Sequence, residues 1–241
     1  MDTFSFTAIG VIHSCFKEKF GIPRQPGLAP AAQAELEIFS PYNRPEAFGG
    51  LQSCSHVWIQ FVFHGIERRE WKPTVRPPRL GGNQRMGVFA TRSTHRPNPI
   101  GLSVVKLDEI IGLDTGDIRL RLSGVDLLDG TPVLDIKPYL PYVDVISDAS
   151  YPFADELPEC IEVKWQELAE KSARRYAEET CIDLPALIEQ VLRQDPRPAY
   201  QQPDSSRIYG MQLYELNIQW RYILEAQSWK ILVTNIETVA E

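Results

Sequence analysis

Three stretches of this 241-residue chain hold more reactive and hydrogen-bonding groups than packing requires. The longest covers residues 76–102, RPPRLGGNQRMGVFATRSTHRPNPIGL. Its Thr91-Arg92-Ser93-Thr94-His95-Arg96 run sets hydroxyl, guanidinium and imidazole groups side by side, a mixture suited to phosphate or carboxylate recognition. Pro97 and Pro99 bracket Asn98 and restrict the directions its side chain can take. The second stretch is 23–30, PRQPGLAP, where prolines stiffen the chain, Gly27 admits close approach of another backbone and Arg24 offers a fork of donors. The third is 124–144, GVDLLDGTPVLDIKPYLPYVD. There Asp126 and Asp129 flank a turn, and Asp135, Lys137 and Tyr139 follow on a proline-stiffened frame. A structural reading stays open for each: a solvated loop, a rigid connection, and a proline-rich strand exit with a Lys–Asp ion pair.

Sharper chemistries find no support. The four histidines and four cysteines form no H-E-x-x-H and no C-x-x-C arrangement, so no metal site is expected. There is no G-x-S-x-G elbow and no Walker A loop, and no G-x-G-x-x-G follows a strand to suggest a Rossmann nucleotide site. Cys15, Cys54, Cys160 and Cys181 are scattered and read as reduced thiols.

The elements that would carry these stretches are mostly strands. Alternating or dense apolar patterns predict strands over 4–12, 34–39, 55–63, 85–90, 101–111, 117–122 and 131–136. Turn signals at Leu113-Asp114-Thr115-Gly116 and Leu128-Asp129-Gly130 separate several of them. Short strands with few helices between them favour a barrel or sandwich over βαβ units. After residue 154 the pattern changes: helices are predicted over 168–180 and 184–193, a proline-punctuated loop over 195–203, and strands over 208–216, 218–223 and 229–236. The expected architecture is mainly β, with an N-terminal β-barrel domain over 1–153 and a small α+β domain over 154–241.

A formal net charge of −7 argues at first against a polyanionic partner. The charge is uneven, however. Residues 65–106 hold nine basic residues against two acids, a local net of +7, and a polyanion responds to that local field. Pairing of these arginines with acids from elsewhere is the competing reading. No run of about 18 apolar residues predicts a membrane span, and the N-terminus lacks the pattern of a secretory signal. A cytoplasmic protein is expected.

The motifs PRQPGL, FVFH, TVRPPRLGGN, MGVFATRSTHRPNPIGLS and DGTPVLDIKPYLPY resemble the TsaA/TrmO family, and DPRPAY with YGMQLYELNIQW resembles its bacterial two-domain form. The resemblance covers nearly the whole chain. It implies an S-adenosylmethionine-dependent tRNA methyltransferase that methylates N6 of threonylcarbamoyl-adenosine at position 37, in the anticodon loop of threonine tRNAs. It also implies a β-barrel donor domain and a homodimer with the donor near the subunit interface. Carried over by motif, donor contacts fall on Pro26, Gly27, Leu28, His64, Gly65, Arg92, Leu102, Leu122, Ser123, Gly124 and Val125. Within that reaction Asp135 is the candidate acceptor for the N6 proton and Tyr139 a stacking platform. Lys137, Arg92 or Arg96 is placed to meet a carboxylate or phosphate. Arg76, Arg79, Arg85 and Arg96 are the candidate contacts to RNA backbone. Two alternatives stay open: a binding module that senses S-adenosylmethionine, and a methyltransferase acting on another nucleoside or on a small-molecule amine.

Overall fold

The computed structural model describes residues 2–66, 71–77, 84–153, 159–198 and 200–239. Arg79 and the start of the expected second domain at 154 lie outside them. Six strands close into a barrel in the order β1-β2-β7-β6-β3-β8. They are β1 (Gly10–Ser14), β2 (Gln33–Ile38), β3 (His56–Val62), β6 (Ile100–Ile111), β7 (Arg119–Ser123) and β8 (Thr131–Pro138). All six contacts between neighbouring barrel strands are antiparallel. Closure removes the free edges that an open sheet would expose. Alternation decides which side chains fill the interior: Val57, Ile59 and Phe61 of β3 point inward and are buried, as are Ser103, Val105 and Leu107 of β6. A two-stranded ribbon, β4 (Thr74–Val75) with β5 (Met86–Gly87), stands in the long connection between β3 and β6.

The C-terminal part is a four-stranded sheet in the order β10-β11-β12-β9, joined by two longer helices. The strands are β9 (Val163–Trp165), β10 (Tyr209–Leu213), β11 (Leu216–Glu225) and β12 (Ser228–Thr238). A short helix α1 (Pro141–Asp144) follows the barrel, and α2 (Glu167–Thr180) and α3 (Leu184–Leu192) pack beside the sheet. Asp183 starts α3 by accepting the Ala186 N–H, and Pro185 sits in the first turn, where its missing N–H costs nothing.

One buried core runs through both parts, from Ile12, Leu36 and Ile59 to Leu187, Ile188 and Trp220. The connection between β1 and β2 forms the seam. Phe16 bridges to Leu213, Tyr214 N–H donates to the Cys15 carbonyl, and Phe20 stacks on Trp220 with ring centroids 5.9 Å apart.

Several boundaries differ from the sequence expectation. The strand predicted over 4–12 begins only at Gly10, because apolar alternation marks a face and does not supply a neighbour to pair with. Phe4 and Phe6 are exposed. In the stretch predicted as a strand over 85–90, the ribbon ends at Gly87 and a turn of 3-10 helix covers Val88–Ala90. The strand predicted over 208–216 is two strands around a tight corner at Tyr214, whose φ of 52° reverses the chain. Strand β9, three residues long and parallel to β12, has no periodic signature.

Candidate functional site

Chain topology puts two of the chemistry-bearing stretches, and the start of the third, at one end of the barrel. The β1–β2 connection (15–32), the β3–β6 connection (63–99) and the β7–β8 connection (124–130) all leave from that end. The β2–β3 and β6–β7 connections lie at the other.

Two of these loops touch directly. Gly27 N–H donates to the Gly124 carbonyl at 2.8 Å, and both residues have positive φ, 78° and 71°. A Cβ on Gly124 would lie 3.5 Å from the Gly27 Cα, whereas a Cβ on Gly27 would meet nothing within 4 Å. Space alone would admit a side chain at either position; the positive φ is what favours glycine, and Gly27 leaves an open backbone shelf. Leu122 and Val125 are buried in the barrel core, so they can offer a ligand only backbone groups.

A chain of polar contacts ties the third loop to these two. Arg92 Nη1 donates to Gln25 Oε1 across 67 residues of sequence. The Ser103 hydroxyl, itself buried, donates to Asp126 Oδ1 at 2.7 Å. Burial pushes the Asp126 carboxyl up to about 6, while the Ser103 hydroxyl and the Arg92 charge pull the other way. Gln25, Arg92, Ser103 and Asp126 thus form one group of mixed charge. Each is, or directly adjoins, a residue singled out by motif: Pro26, Arg92, Leu102 and Val125. Sequence reasoning noted Asp126 only as a turn residue and did not single out Gln25 or Ser103. The inward parity of Ser103 on β6 is the signal that could have paired it with an acid.

His64 and Gly65 sit at the same end, a little apart. A Cβ on Gly65 would press to 2.8 Å from Leu128 and 3.1 Å from Lys19, and one on Gly130 would come within 3.7 Å of His64 Nε2. They therefore line the rim beside the β7–β8 turn. Ser123 pairs with Gln33 and Lys106 in the neighbouring strands at the end of β7.

Asp135, Lys137 and Tyr139 occupy a different wall. In the barrel register Leu102, Gln60 and Asp135 are partners across β6, β3 and β8, and so share the outer face. Strand spacing of about 4.8 Å sets Asp135 roughly 10 Å from Leu102 over the surface. The next outward row is Val104, Trp58 and Lys137. Lys137 Nζ lies 2.6 Å from Asp135 Oδ2, and Asp135 Oδ1 accepts the Ile136 N–H at 2.9 Å. The Lys–Asp pair weighed from sequence is therefore present. Trp58 and Tyr139 rings pack at 5.9 Å, and Trp58 Nε1 donates to Asp144 Oδ2 at 2.9 Å, which anchors α1 to this wall.

The arginines divide. Arg76 and Arg85 project from the β4–β5 ribbon, exposed and with no ion-pair partner among the described residues. Arg96 instead holds its own loop: Nη1 donates to the Thr91 carbonyl at 2.6 Å, and the guanidinium lies 6.0 Å from the Phe89 ring centroid. Among the described residues no group of three or more His, Cys, Asp or Glu side chains could hold a metal ion.

Comparison with known proteins places this arrangement in context. A family described as the tRNA-methyltransferase O N-terminal domain matches residues 11–145, and one described as the TrmO C-terminal domain matches residues 158–239. The tRNA (adenine(37)-N6)-methyltransferase of Escherichia coli strain K12 is 48% identical over 227 residues, which cover 92% of this chain and 94% of that protein. A protein of the same name from Eikenella corrodens is 52% identical over 169 residues, 70% of this chain and 91% of that one. A crystal structure of TrmO from Pseudomonas aeruginosa superposes with a TM-score of 0.82 at 44% identity, covering 98% of this chain and 99% of that chain.

Proposed function

The chain belongs to the tRNA-methyltransferase O family, and from that premise we propose that it transfers the methyl group of S-adenosylmethionine to N6 of adenosine 37 in tRNA. The nucleoside it takes is threonylcarbamoyl-adenosine in the anticodon loop of threonine tRNAs. The observation that carries this reading is the Gln25–Arg92 and Ser103–Asp126 bonding at the barrel mouth, which draws the separate motif stretches into one place.

The residues at the mouth fit the donor. Its amino-acid tail bears both charges, and Arg92 and Asp126 offer the two complementary ones. The open shelf at Gly27 gives backbone groups to its nucleoside, and the exposed Leu102 gives an apolar surface. Pro26, Leu28, His64, Gly65 and the backbone from Leu122 to Val125 complete the set. When bound, the donor supplies an electrophilic methyl on a sulfonium.

The work left to the protein is positioning and one proton. The N6 nitrogen must be held about 3 Å from the methyl and in line with the bond that breaks. The carbamoyl group on N6 makes its N–H more acidic than that of plain adenine, so a hydrogen-bond acceptor suffices. Asp135 takes that proton after Lys137 swings from the carboxylate to the substrate's threonyl carboxylate. Tyr139 and Trp58 give the base a surface to stack on. Arg76, Arg79 and Arg85 neutralise the RNA backbone, and Arg96 contributes by holding the loop that carries Arg92.

The protein works as a homodimer in the cytoplasm. Support for the dimer comes from the outer wall beside Asp135, where Leu102, Tyr142, Val143, Val145 and Ile146 are all more than half exposed. No helix among the described residues is long and apolar enough to cross a membrane.

The test is transfer of labelled methyl to tRNA with and without the threonylcarbamoyl group, followed by mass spectrometry of the nucleosides. Label on N6 of position 37 only in the carbamoylated tRNA is the expected result. Donor binding without any transfer would instead make the chain a sensing module.

A further inference from the structure

We propose that α3 of the C-terminal part positions the donor-binding loop, through Gln190 and Gln194. This rests on the reading of residues 23–30 as part of the donor site. The two glutamines lie one turn apart on the same side of α3 and its end, facing that loop. Gln190 Oε1 accepts the Ala31 N–H at 2.8 Å. Gln194 Nε2 donates to the Leu28 carbonyl at 3.2 Å and to the Gln190 carbonyl at 2.8 Å. One side chain accepts and the other donates, so between them they fix both polarities of the loop backbone just past Gly27.

The neighbouring loop adds a third contact. Arg24 Nη2 donates to the Arg197 carbonyl at 3.4 Å. Arg197 cannot drift, because its guanidinium holds Asp195 at 2.9 Å, lies 5.3 Å from the Tyr222 ring and is largely buried. Tyr222 in turn donates to Asp195 Oδ1 at 2.7 Å from inside the C-terminal core. The DPRP turn is thus bolted to the sheet, and the donor loop leans on it. On the barrel side the loop is held by the bond from the Gly27 N–H to the Gly124 carbonyl and by Arg92 on Gln25. A loop held by the barrel on one side and by α3 on the other is ready-shaped for a ligand, which lowers the ordering cost of binding.

The opposite polarities of the two glutamines provide the test. Gln190→Glu keeps an acceptor facing the Ala31 N–H, whereas Gln194→Glu turns a carboxylate on the Leu28 carbonyl. Affinity for S-adenosylhomocysteine is measured by calorimetry, and KM for S-adenosylmethionine and for tRNA by methyl transfer, on the full chain. Q194E is expected to weaken product binding and raise the KM for the methyl donor by about tenfold, with the KM for tRNA within twofold. Q190E is expected to stay within about twofold of wild type, and Q190A to lose about fivefold. Arg92→Ala serves as the control for the site itself. Wild-type binding in Q194E alongside weakened binding in R92A overturns the positioning role and leaves the site standing. Wild-type binding in both overturns the site reading as well. Equal losses in Q190E and Q194E, with lowered melting temperatures, reduce the pair to ordinary interdomain packing and also overturn the proposal.

Discussion

At the barrel mouth, polar side chains cross from loop to loop: Arg92 to Gln25, Ser103 to Asp126, and the Gly27 backbone to Gly124. In the C-terminal sheet the interior is aromatic. Trp220 is stacked between Phe20 and Tyr209, and Tyr222 meets Tyr209 edge-on at 5.1 Å. The charges of that sheet lie outside and pair locally, Lys230 with Glu162 at 2.8 Å and Lys164 with Glu225. Both regions are built mainly on antiparallel strand pairs. They differ in where their polar groups go. The mouth keeps an acid and a cation of unequal burial close together and leaves an open backbone shelf beside them, a combination that costs stability unless something binds there. The sheet satisfies its charges at the surface and fills its centre, as a support does.

That contrast breaks most visibly at Trp220. Replacing this fully buried ring by alanine is expected to cost about 3–5 kcal/mol in urea unfolding, the largest single loss of the set, and to weaken donor binding through the seam. A variant that unfolds readily while donor affinity is untouched would show that the sheet supports nothing at the mouth. Arg92→Ala should act the other way round. The bound ligand loses a charge-assisted hydrogen bond from the guanidinium worth about 1.5–3 kcal/mol, so S-adenosylhomocysteine binding weakens by about 10- to 100-fold, while the melting temperature barely moves because the Arg92–Gln25 pair is exposed.

The Asp126 carboxyl sharpens the same distinction through pH. Its value in the fold is raised to about 6, above that of an unfolded chain, so the native state holds the extra proton between about pH 4 and 6. Its contribution to stability is complete below pH 4 and is lost as pH rises through 6. Asp126→Asn should therefore remove a downward slope in stability over that range, read from urea midpoints. The smallest effect belongs to the ribbon. Arg76→Ala and Arg85→Ala should each weaken tRNA binding about threefold at moderate salt, flatten its salt dependence by about one unit of log–log slope, and leave product binding unchanged.

Much of this was legible before the fold was known. Residues 55–63 are so dense in aromatic and β-branched side chains, and 101–111 so rich in apolar ones, that β3 and β6 follow within a residue or two, and the turn residues at 113–116 and 128–130 mark real corners. Many short strands with few helices between them pointed to a barrel or sandwich, the family resemblance pointed to a barrel, and the fold is one. Phe4 and Phe6 misled because a periodic pattern carries no information about whether a neighbouring strand exists. The site was legible as stretches and not as contacts. Arg96 looks like a phosphate ligand in a run of donors, and its bond to the Thr91 carbonyl, which staples the loop, could not be read from the sequence. Gln190 and Gln194 are two ordinary glutamines, one on a helix and one just past its end. Their meaning depends on which backbone groups lie opposite, and that is set by tertiary packing across some 160 residues of chain.

Cys15 gives the seam between the two parts a chemical clock. Its side chain is wholly buried where β1 runs out toward Leu213 and Tyr214, and burial pushes its thiol up to about 12. Only a thiolate reacts at useful speed with an alkylating reagent, so Cys15 in the closed molecule is silent. Cys181, exposed at the end of α2, labels at once and reports reagent delivery. The slower rate at Cys15, read by peptide mass, then counts how often the C-terminal sheet lifts from the barrel. If the donor loop shares that seam, saturating S-adenosylhomocysteine should slow the clock.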